Sequence, residues 1–119
     1  MTNALRLTGL ATAVVLMTGM VHNHLTKSAP AEGEQLAASP KEIRLWFNER
    51  PEIPFTSVTL MQADSTRIAT IKATATTDSL AAAIPLATPL RPGKYLVAWR
   101  TASSDGHAIR GIFEFSIVP

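Results

Sequence analysis

The sequence predicts an all-β sandwich of about seven short strands, and three observations carry that reading. Segments rich in β-branched and aromatic residues run for only a few positions and are punctuated by Pro, Gly, Ser, Asn and Asp, the spacing of a two-sheet fold. Period-2 alternation is clean where Ile43, Leu45 and Phe47 interleave with Glu42, Arg44 and Trp46, as a half-buried strand requires. No stretch demands a helix of ordinary length, and internal repeats and low-complexity tails are absent, which leaves two packed sheets as the expected architecture.

Taken in order, residues 1–21 come first as a targeting segment. Arg6 precedes an apolar run from Leu7 to Val21, shorter than the roughly 20 residues that span a bilayer. It fits a secretory signal peptide, which predicts export. A cut before His22 would leave Gly19 and Val21 at the −3 and −1 positions. The glycine is suitable, but valine is larger than the small residue preferred there, so export is better defined than the cut itself.

Residues 22–119 then form one domain. Strands are predicted near 25–28, 42–48, 56–62, 68–73, 80–84, 94–101 and 111–118, the last dominated by Ile112, Phe113, Phe115 and Ile117. Pro89-Leu90-Arg91-Pro92-Gly93 reads as a turn, with proline presetting φ and glycine open to positive φ. The run Leu80-Ala81-Ala82-Ala83 has high helix propensity, but flanking threonines and Pro85 leave room for a turn or two at most, and strand is assigned. Trp46 and Trp99 are expected in the core.

Composition removes several function classes. The net charge is +2, from 11 basic and 9 acidic residues that alternate along the chain. Nucleic-acid binding would need a clustered basic face with stacking aromatics. The chain has no cysteine, which excludes a disulfide framework, a thiolate or iron–sulfur site and a cysteine nucleophile. Any metal must be held by nitrogen and oxygen.

The three histidines lie in two places, His22 and His24 just after the apolar leader and His107 in Ser103-Ser104-Asp105-Gly106-His107. Asp105 and His107 follow a predicted strand and precede the last one, so they belong to a connection at one end of the sandwich. An Asp-Gly pair is also an ordinary turn, and His107 could merely cap it. If processing exposes His22, its α-amine and imidazole can chelate one ion together, and the amine's low pKa of roughly 8 lets a metal displace its proton. With Asp105 and His107 these groups make a tetragonal nitrogen–oxygen set that favours one Cu(II). His24 has three readings: an auxiliary ligand, the third-position imidazole of a free amino terminus that wraps Cu(II) with backbone nitrogens, or a solvated side chain.

The stretch from His22 through Leu25, Ser28 and Pro30 to Gly33 resembles the mature start of the CopC family of periplasmic copper-binding proteins. Residues 40–49 are similar to the family's next strand, and Pro89 to Arg100 followed by Ser103-Ser104-Asp105-Gly106-His107 resembles its most distinctive block. The resemblance implies a Greek-key sandwich of immunoglobulin-like or cupredoxin-like type and a periplasmic location. It also implies one Cu(II), with His22, Asp105 and His107 as ligands. Glu49 matches a glutamate near the site, as an orienting group, a weak extra ligand or a solvated charge. Family members that also take Cu(I) carry a methionine-rich loop, because soft thioether sulfur suits that ion. Here Met1, Met17 and Met20 belong to the leader and Met61 stands alone, so a Cu(I) site is not expected and Met61 is assigned to core packing or the rim.

The function expected is a Cu(II)-binding protein for sequestration, tolerance or delivery to an inner-membrane transporter of the CopD type, acting as a monomer. An oxidative copper enzyme with an amino-terminal histidine is the alternative. It would need an open coordination position and a platform of exposed aromatics, which disfavours it at this size. A metal-free sandwich module is the third reading, opposed by the coincidence of the histidines with the family's ligand positions. Ser103 and Ser104 near His107 do not support hydrolysis, because a catalytic triad is defined by geometry that spacing cannot supply.

Overall fold

The computed structural model describes residues 23–119. The expected signal segment and His22 lie outside them. Among the described residues nine strands form: β1 (Leu25–Ala29), β2 (Gln35–Leu36), β3 (Glu42–Phe47), β4 (Ser57–Gln62), β5 (Arg67–Lys72), β6 (Thr74–Ala75), β7 (Ala81–Pro85), β8 (Gly93–Ala102) and β9 (Ala108–Ile117). A 3-10 turn, Ile53–Phe55, leads into β4. The seven expected strands are present, and two strands of two residues each were not foreseen.

One sheet has the order β1-β3-β7-β6 and the other β2-β9-β8-β4-β5. All pairings are antiparallel except β2 with β9. The chain passes repeatedly between the sheets, so sequence neighbours such as β3 and β4 face each other across the core. This is the all-β sandwich predicted above.

Strand alternation builds that core. Ile43, Leu45 and Phe47 of β3, with Ala82 and Ile84 of β7, meet Val58, Leu60, Tyr95, Val97, Trp99, Phe113, Phe115 and Ile117 of the other sheet. Burial of such side chains is the main term stabilising the sandwich, at about 1.5–3 kcal/mol for each large one. Phe47 meets Trp99 edge-on at 5.6 Å between ring centroids, and Tyr95 stacks on Phe115 at the same distance, geometries that suit the ring quadrupoles. The Tyr95 hydroxyl donates to the Arg91 carbonyl at 2.6 Å, tying the Pro-Gly turn to the strand that follows it. Thr56 and Thr101 are buried, and their hydroxyls pair at 2.8 Å, which removes the cost of unpartnered polar groups.

Two assignments are corrected, those of Trp46 and of the start of β9. Trp46 is half-buried on the outer face of the four-stranded sheet, where Lys27 Nζ sits 4.4 Å from its ring centroid. Among the apolar residues of β9, whose facing the sequence reading left open, Phe113, Phe115 and Ile117 take the inward parity and Ile112 is 58% exposed. β9 also starts three residues earlier than expected, at Ala108, since its ladder with β8 runs out to Ala102 opposite Ala108. Met61 is half-buried and lies between Leu96 and Arg67 in register, on the rim side of the two readings.

Candidate metal centre

The β8–β9 hairpin closes through residues 103–107. The Ser103 amide donates to the His107 carbonyl at 3.1 Å and the Gly106 amide to the Ser103 carbonyl at 2.9 Å. Gly106 has φ +89°, a backbone region that side chains rarely enter, so the turn needs glycine between the two candidate ligands. The turn reading of Asp-Gly is therefore correct, and it is this turn that sets the geometry of the loop.

Within it Asp105 and His107 meet directly. Asp105 Oδ2 lies 2.8 Å from His107 Nδ1, and Oδ1 accepts the His107 amide at 3.0 Å. The Ser103 hydroxyl donates a short hydrogen bond to the same Oδ1. These contacts hold the Asp105 carboxyl well below the usual carboxylate range, the Ser103 hydroxyl first, then the His107 amide and ring. Both side chains are exposed, at 56% for Asp105 and 78% for His107, so the pair adds little to stability. Its value is geometric: a carboxylate at Nδ1 orients the imidazole and leaves Nε2 to face solvent.

The start of β1 and the ends of β3 and β8 lie at the same end of the sandwich. β1 begins with Leu25 opposite Phe47, the last residue of β3, and Phe47 packs on Trp99 near the end of β8. The Ala102 carbonyl, where β8 ends, accepts the Glu52 amide at 3.3 Å. Two asparagines fasten the segment before β1. Asn48 Oδ1 accepts the His24 amide at 2.6 Å, and its own amide returns to the His24 carbonyl at 3.1 Å. Asn23 is 2% exposed, and its Oδ1 accepts the Glu49 amide at 3.2 Å. Among the described residues, Asn23 Nδ2 has no hydrogen-bond partner.

The structure thus joins Asp105 with His107, and the asparagine clamp ties the His24 backbone to Asn48 and the Glu49 backbone to Asn23. Among the described residues no three His, Asp or Glu side chains converge as a ready-made metal cluster. His22 lies outside them. Sequence reasoning missed Ser103 as the anchor of Asp105, and Asn23 and Asn48 as the clamp. The available signal was the readiness of Ser and Asn side chains to bond nearby backbone.

A CopC domain model matches residues 25–118 of the chain. The chain belongs to the CopC family. Among its relatives is Protein YobA of Escherichia coli strain K12, 35% identical over 109 residues that cover 91% of this chain and 88% of the relative. Copper transport protein CutJ of Bacillus subtilis is 29% identical over 84% of this chain but only 19% of its own length. The crystal structure of CopC from Methylosinus trichosporium OB3b superposes with a TM-score of 0.75 at 29% identity, covering 82% of this chain and 95% of that one. The CopC family consists of copper-binding resistance proteins and not of enzymes, so copper handling is the function class and the oxidative-enzyme reading falls away.

Proposed function

We propose that the mature chain begins at His22, works in the periplasm and holds one Cu(II) through the His22 amine and imidazole together with Asp105 and His107. The observation that carries this reading is the Asp105–His107 pair, already oriented at the end of the sandwich where Asn23 and Asn48 fasten the segment that follows His22. An amine, two imidazoles and a carboxylate form the tetragonal nitrogen–oxygen set that Cu(II) prefers, and no cysteine competes for the ion. In this reading His24 and Glu49 adjust the site rather than found it. The protein sequesters Cu(II) or passes it to a membrane acceptor of the CopD type, a role consistent with the occurrence of a related domain within a chain named for copper transport.

Intact-mass analysis of exported protein, followed by copper paramagnetic resonance, tests the proposal. A chain starting at His22 with a tetragonal spectrum is expected. Asp105→Ala and His107→Ala should each weaken Cu(II) binding by at least about tenfold in chelator competition, since losing even a group that supports a ligand costs about 10–100-fold, with little change in fold. Wild-type affinity in both variants, or a mature chain that starts elsewhere, overturns the ligand set.

A further inference from the structure

The outer face of the five-stranded sheet is not evenly charged. Register places Lys72 of β5, Ser57 of β4, Arg100 of β8 and Arg110 of β9 in one row across four strands. With strands about 4.8 Å apart, the three cations span about 14 Å. Arg100 and Arg110 stand directly opposite each other, an arrangement of like charges that weakens a strand pair. All three are exposed, and among the described residues none is in an ion pair. The outer face of the other sheet differs, because there Arg44 pairs with Glu42 at 2.8 Å. An opposing charge, Glu52, lines one groove with Arg100, Phe55, Ser103 and Gly106. That groove brings the cationic row up to the loop holding Asp105 and His107. Phe55 in the groove is 64% exposed, and Ile112, two residues beyond Arg110 on the same face of β9, is 58% exposed.

Resting on the copper-handling reading above, we infer that this face docks an acidic protein surface on the acceptor that exchanges copper with the Asp105–His107 loop. Charge complementarity selects the partner's sign. An unpaired row tolerates its own repulsion at little benefit to the isolated fold, and it gains when carboxylates arrive between the cations. The residue types select protein over lipid. Two of the three cations are arginines, which grip carboxylates with two donors, and an exposed aromatic beside arginine is the composition of interface anchors. Polybasic attachment to membranes typically uses four to eight basic residues.

The test compares wild type with Arg100→Gln/Arg110→Gln, and with Lys41→Gln/Lys94→Gln as a control of equal charge change at the far end of the sandwich. The probe is the CopD-type acceptor in nanodiscs of zwitterionic lipid, with metal-free and copper-loaded protein each titrated at about 50 mM and about 500 mM salt. The arginine variant should bind about tenfold more weakly at low salt, the lysine control within about twofold of wild type, and the difference should shrink at high salt. Equal losses in both variants, no loss in the arginine variant or no binding by wild type would overturn the proposal. So would row-dependent capture by protein-free vesicles containing phosphatidylglycerol, which would point to lipid. Failure of the copper reading is recognised separately, by absence of Cu(II) binding in wild type while docking of the metal-free protein is unaffected.

Discussion

At the scale of single residues, Asp105 shows how a turn prepares a ligand. Its carboxylate receives the Ser103 hydroxyl, the His107 amide and the His107 ring, and each contact favours the charged form. The pKa is therefore depressed, the carboxylate stays ionised as pH falls past the ordinary 3.8, and whatever the network contributes to the loop is present above that value and lost below it. Ser103→Ala should move the Asp105 titration upward toward its ordinary value, followed by the carboxyl carbon shift in NMR. An unchanged midpoint would mean that the serine is incidental. Asp105, Gly106 and His107 were legible in the sequence because their spacing is chemically distinctive. Asn23 and Asn48 were not, because their bonds join residues 24 and 26 positions apart and no local pattern announces them.

Among the elements, strands with several inward residues could be read in advance, and those too short for periodicity could not. β3 alternates over six residues and was placed within one residue of its end, whereas β2 and β6 have two residues each and exist because a neighbouring ladder offers them partners. β9 was found but its parity was not, because Ile112, Phe113 and Phe115 are all apolar and hydropathy alone cannot tell which row faces inward. Gly111 resolves the ambiguity from the other side. It pairs with Trp99, and a Cβ there would lie 2.7 Å from the indole Nε1, so the ring occupies the space a side chain would need. Gly111→Ala should displace Trp99 from Phe47 and cost about 1–3 kcal/mol, the range for overpacking a filled site. Urea unfolding and near-ultraviolet circular dichroism would check it, and wild-type stability with an unchanged tryptophan signal would show that the ring yields freely.

For the whole molecule, the core lies between the sheets, while Asp105 and His107 lie on the β8–β9 connection at one end, where substitution leaves packing intact. Metal binding should then add stability instead of replacing what the core supplies, because a ligand that binds only the folded state stabilises it by RT ln(1 + [L]/Kd), about 2.7 kcal/mol at a hundredfold excess over Kd. A chain starting at His22 should melt at rising temperature as Cu(II) is added. One extra residue before His22 removes the α-amine from the chelate, so that chain should lose most of the copper-dependent shift while melting at the same temperature without metal. The shift should also fade below about pH 5, because amine and imidazole nitrogens must shed their protons to ligate. The carboxylate does not set this limit, since its depressed pKa keeps Asp105 charged further into acid. Calorimetric melts of the two chains at pH 7 and pH 4.5 decide the matter. An equal copper shift in the extended chain would place the ion on groups other than the amino terminus, with His24 the first to examine.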